Sequence, residues 1–93
     1  MKEEDVFSQF KIIADKKKKA NGMVSRQDIV NSVIELSVNR CLSIKNENPS
    51  QLTEFRIKKE VLFISKIMQR MFKYPNEMIT DFILPNVKRQ LGL

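Results

Sequence analysis

An all-α fold of four helices follows from three features of this 93-residue sequence. Apolar residues recur at helical rather than alternating spacing along most of the chain. Three stops, Asn21-Gly22, Asn46-Glu47-Asn48-Pro49 and Tyr74-Pro75-Asn76, divide it into four segments. Two glycines and three prolines are too few for long irregular loops or a turn-rich β-sandwich. With 42% hydrophobic and 30% charged residues the chain holds enough apolar material for one core, so residues 1–93 are expected to form a single domain. Within it, residues 1–45 read as a basic, helix-turn-helix-like part and 49–93 as an oligomerisation part.

The first helix is expected over residues 3–20. Glu3, Glu4 and Asp5 open it and Lys16, Lys17, Lys18 and Lys19 close it, so charge complements the helix dipole at both ends. Val6, Phe10 and Ile13 form its apolar stripe, widened by Phe7 and Ala14, and Gly22 suits a positive-φ position after it. The second helix, residues 25–45, opens on Ser25-Arg26-Gln27-Asp28, a weak capping box in which Ser25 accepts from the Asp28 N–H. Its stripe runs Ile29, Val33 and Leu36, beside Val30, Ile34, Val38, Cys41 and Leu42.

The third helix, residues 49–72, is the long one, with Asn48 as N-cap, Pro49 in the first turn and Tyr74-Pro75 as its stop. Ile57, Val61, Ile64, Met68 and Met71 alternate in steps of four and three, a heptad seam over two heptads. Leu52, Phe55, Leu62, Phe63, Ile67 and Phe72 add a second apolar face. Such a helix extends ~36 Å, whereas a compact chain of this size has a radius of gyration of about 12 Å. A partner is therefore expected, most simply a second copy in a homo-oligomeric bundle, with the five seam residues as the interface. The fourth helix, residues 76–91, carries Met78, Ile79, Phe82, Ile83, Val87 and Leu91 across Pro85, and a kink or break is expected there, with Gly92 ending it.

The absences bear on chemistry. There is no histidine, and the single Cys41 lies beside Val38 and Leu42, which suits a buried structural thiol in a reducing compartment. Histidine-based triads, zinc sites and intrachain disulfides drop out with them. Two glycines cannot build a glycine-rich phosphate loop, and the eleven acidic residues show no metal-ligand spacing. No enzymatic activity, cofactor, metal or small-molecule substrate is expected. The charged start Met1-Lys2-Glu3-Glu4-Asp5 leads into no apolar signal region, and Val61-Leu62-Phe63-Ile64 is the longest apolar run, far below the roughly 20 residues of a membrane span. A cytoplasmic protein without membrane contact is the expectation.

Charge points to a partner. Lys and Arg outnumber Asp and Glu by 17 to 11, a net +6, which favours an anionic surface. Lys16 to Lys19 meet Arg26 at the first helix–turn–helix element, a second basic group (Arg56, Lys58, Lys59, Lys66, Arg70, Lys73) follows the third helix, and Lys88-Arg89 lie near the end. DNA phosphate is the expected ligand of Lys16, Lys17, Lys18, Lys19, Ser25 and Arg26.

Residues 4–42, an amphipathic helix ending in lysines and glycine and then Val24-Ser25-Arg26-Gln27-Asp28-Ile29-Val30, resemble the helix pair of a ribbon-helix-helix DNA-binding domain. The resemblance implies a second helix in a dimer core, with its N-terminus near Ser25 and Arg26 approaching the DNA backbone. That family reads bases with a strand before the first helix, for which residues 1–4 are too short. Ile34-Glu35-Leu36, Thr53-Glu54-Phe55 and the spacing between them also resemble the TraM-type relaxosome accessory proteins, which join such a domain to a helical tetramerisation region. Together these imply a homo-oligomeric, non-enzymatic DNA-associated accessory protein. The alternative, from another class, is a small helical adaptor or inhibitor docking on a protein partner through the edge of the long helix and residues 75–91.

Overall fold

The second helix organises the fold because apolar or small residues cover it on more than one side, leaving Gln27, Asn31, Glu35 and Asn39 as its exposed polar stripe. In the computed structural model, which describes residues 2–18 and 22–93, α2 spans Arg26–Glu47. It touches every other helix: α1 (Glu3–Asp15), α3 (Glu54–Phe72) and the C-terminal helix, residues 76–90. Among the described residues these four helices are joined by turns, with no strand. Val30, Val33, Ile34, Leu36, Val38, Cys41 and Ile44 of α2 are all buried. Two buried serines sit among them without stranding a hydroxyl: Ser32 Oγ donates to the Asp28 carbonyl at 2.7 Å and Ser37 Oγ to the Val33 carbonyl at 2.8 Å.

The remaining helices pack their stripes onto α2. Val6, Phe10, Ile13 and Ala14 of α1 are buried, and the Phe10 ring meets Phe72 of α3 at 5.3 Å between centroids. The expected seam of α3 is where the structure departs most from the sequence reading. Ile57, Val61, Ile64 and Met68 are each 0% exposed within the single chain. They close its own core and are not a free face for a second copy; only Met71 of the five stays outside, 54% exposed. The helix is also shorter than expected. Pro49–Gln51 forms one separate 3-10 turn, Asn48 Oδ1 accepts from Ser50 Oγ, and Thr53 takes over as N-cap by accepting from the Arg56 N–H. At 19 residues α3 extends ~28 Å, well inside the 44 Å long axis of the molecule. Its length therefore demands no outside partner.

Two other ends differ in detail. α1 stops at Asp15, so the lysines follow the last turn instead of forming it. A further helical turn through four consecutive cations would stack like charges and bury nothing. Gly22 does adopt positive φ, +77°, but well beyond the helix end. At Pro85 the helix neither breaks nor ends. Pro85 lacks the N–H that would bond the Asp81 carbonyl, and the preceding turn, Ile79–Ile83, widens to a π-turn in which the Leu84 N–H reaches the Ile79 carbonyl. Gly92, at φ +83°, then completes a Schellman end with Leu93 N–H on the Lys88 carbonyl at 2.9 Å.

Ion pairs tie the helices at their edges. Arg70 meets Glu3 at 2.8 Å, Lys88 meets Glu54 at 3.0 Å, and Glu60 of α3 lies between Arg56 (2.9 Å) and Arg40 of α2 (3.5 Å). α3 ends on Lys73 in the left-handed region, φ 56°, which turns the chain so that buried Tyr74 can donate its hydroxyl to the Ser65 carbonyl.

Candidate basic surfaces

The first basic surface lies where α1 gives way to α2. Lys16 is exposed at the C-cap of α1. Lys17 is held against α2, its Nζ 3.1 Å from Glu35 Oε2, and Lys18 folds back onto Asp15 at 3.1 Å. Lys19, the fourth predicted contact, lies outside the described residues. Both of these ion pairs are solvent-facing and contribute about 0–1 kcal/mol, so a phosphate can compete for either lysine. Across the turn, Ser25 is the N-cap of α2, its Oγ accepting from the Asp28 N–H at 3.1 Å, while Asp28 Oδ2 accepts from the Ser25 N–H at 3.4 Å. The capping box expected from the sequence is therefore closed. Its consequence for anion binding is negative: Asp28 already supplies a negative charge to the helix end that a phosphate would use. Arg26 is exposed one residue later. This surface thus offers Lys16, Lys17, Lys18 and Arg26 as cations, with Ser25 committed to structure.

The second surface is the outward side of α3, opposite the buried seam. Phe55 is 77% exposed and Phe63 41%. Lys58, Lys59 and Lys66 are exposed beside them, and none has an ion pair among the described residues; Lys66 Nζ donates to Asn76 Oδ1 at 2.7 Å. Phe55, Lys58, Lys59 and Leu62 line an open groove of about 340 Å³. Of the second apolar face expected on this helix, Phe55 and Phe63 stay exposed, whereas Ile67 is buried and Phe72 half-buried. At about 100° per residue, both phenylalanines lie about 140° from the centre of the Ile57–Met68 seam, on the side away from the core. A third feature is an apolar groove of about 330 Å³ at the edge of α1, lined by Phe7, Phe10, Lys11, Ala14, Asp15 and Met71.

The one thiol and the one phenol of the sequence are both buried. Cys41 is wholly buried, and desolvation, reinforced by the nearby Glu60 carboxylate, pushes its thiol from 9.0 up to about 11. A thiol in that state is not a nucleophile at neutral pH. Burial also pushes the Tyr74 phenol upward. Among the described residues no group of three or more Cys, Asp or Glu side chains is placed to hold a metal ion, and no helix is long and apolar enough to cross a membrane.

The chain matches no protein-family model, no curated protein and no solved structure.

Proposed function

We propose that this is a non-enzymatic, DNA-associated accessory protein that contacts phosphate through the basic junction between α1 and α2. The observation that supports it is the exposure of Lys16, Lys18 and Arg26, with half-buried Lys17 on Glu35, to either side of the α1–α2 connection in a chain with net charge +6. Long cationic side chains at a surface turn suit backbone contact, which is sequence-independent and salt-sensitive. Self-association belongs to the same proposal, but at a different place from the seam. The α1-edge groove carries Met71 together with Lys11 and Asp15. A two-fold axis there would set Lys11 of one copy against Asp15 of the other and bury both grooves, as an isologous interface requires.

The test is titration of a fluorescent duplex at about 50 and 200 mM salt. Four phosphate contacts predict a loss of roughly 150-fold in affinity over that range. Reversing Lys16, Lys17, Lys18 and Lys19 to Glu should weaken binding similarly for unrelated duplex sequences and flatten the salt dependence. Affinity unchanged by that reversal would overturn the proposal.

A further inference from the structure

The geometry points to the outward face of α3 as a docking groove for an acidic amphipathic helix of a partner protein. Two properties coincide there. Phe55 and Phe63 stand in solvent on a helix whose opposite side is fully buried, and the groove between Phe55 and Leu62 is walled by Lys58 and Lys59. Lys66 continues the cationic border two turns beyond Lys59. Glu54, next to Phe55 in the chain, is drawn to Lys88 of the C-terminal helix at 3.0 Å, and Glu60 is committed to Arg40 and Arg56.

Charge selects the occupant. A second copy offering the same face would set lysines against lysines, so this groove does not pair with itself. A duplex would satisfy the lysines but leave Phe55 and Leu62 against a hydrated sugar-phosphate backbone. An amphipathic helix with large apolar residues at i, i+3 or i+4, and i+7, flanked by Glu or Asp, satisfies both: its apolar side chains enter between Phe55 and Leu62, and its carboxylates meet Lys58, Lys59 and Lys66. The surface is also rigid before binding. α3 is capped by Thr53 and anchored through Ile57, Val61, Ile64 and Met68, so little ordering accompanies association. This face lies on a different helix from the α1–α2 junction, so peptide binding here is read separately from duplex binding there.

The probe is a fluorescein-labelled helical peptide with Leu at i, i+3 and i+7 and Glu at the flanking positions, read by anisotropy against the full chain. Two control peptides keep the Glu residues but replace Leu by Ser, or keep Leu but replace Glu by Lys. Binding of the first peptide alone, weakened at least tenfold by Phe55→Ala and by Lys58→Glu/Lys59→Glu, supports the proposal. The thermal midpoint of F55A serves as the folding control and should not move, because Phe55 is largely in solvent. Three outcomes overturn the proposal: equal binding of the Leu→Ser peptide, affinity indifferent to F55A, or self-association that F55A abolishes. Loss of duplex affinity in K58E/K59E with none in F55A would overturn it too, by making the face a phosphate surface.

Discussion

Replacing Ile64 by Ala distinguishes a core inside one chain from a seam between chains. Ile64 is 0% exposed with a single chain present, so the substitution deletes three buried carbons. At about 0.8 kcal/mol for each, transfer alone accounts for ~2.4 kcal/mol, and the residual cavity raises the loss to about 3 kcal/mol or more. For a domain of this size each kcal/mol moves the midpoint by roughly 4–8 °C, so a fall of about 12–24 °C is expected. The assay is thermal unfolding followed by far-ultraviolet circular dichroism at about 1 and 100 µM. A core inside one chain predicts the same loss at both concentrations. A seam between chains would lose its partner on dilution, because a hundredfold change in concentration is worth about 2.7 kcal/mol by mass action. Ile64→Ala would then cost nothing in the dilute sample, and that result would refute the packing argued above.

Two further substitutions test other parts of the interior. Glu60→Ala strips the carboxylate from between Arg40 and Arg56 and should destabilise by about 2 kcal/mol in denaturant titration. That is less than the 3–5 kcal/mol of a fully buried pair because the arginine side chains keep 25% and 35% of their exposure; no loss would mean that the network does not couple α2 to α3. Cys41→Ala tests alkaline stability. The folded thiol titrates above its ordinary value, so its contribution is fully present below pH 9.0 and is lost as pH rises toward about 11. Denaturant titration at pH 8 and pH 11 should show C41A gaining about 2 kcal/mol on the wild type between the two. A constant difference would mean that Cys41 is not desolvated in the folded protein.

Helix identity was legible because each apolar stripe has a period that only a helix can bury. The capping box at Ser25 and the stop at Pro75 were legible for the same local reason, since turn and cap chemistry is read a few residues at a time. What escaped was tertiary. A four-three repeat such as Ile57–Met71 defines a face and says nothing of whether the neighbour is another chain or α2 of the same one. Burial of Ile57, Val61, Ile64 and Met68 against α2 depends on α2 offering apolar residues on more than one side, as its own β-branched residues displayed. The start of α3 was misplaced because Asn48-Pro49 and Thr53 offer two competing caps. The π-turn before Pro85 shows another limit: proline dictates that a hydrogen bond is lost, while Ile79, Ile83 and Val87, all buried, keep the helix running through the gap.

The distribution of charge also separates structural cations from available ones. Glu3, Glu35 and Glu54 each join two different elements, through Arg70, Lys17 and Lys88. The molecule thus uses much of its scarce negative charge to hold helix edges, leaving the surplus lysines on solvent-facing ground. Lys17 belongs to both groups, because reversing it also removes the tie to Glu35. Lys16 and Arg26 belong to the second alone: both are exposed, and neither has an ion pair among the described residues. A change in duplex affinity on reversing those two residues therefore reads phosphate contact itself, whereas the same change at Lys17 reads contact and the seating of α1 on α2 together. Lys58 and Lys59 of α3 are as free as Lys16 but stand beside exposed Phe55. That apolar company is what separates a surface suited to phosphate from one suited to a protein.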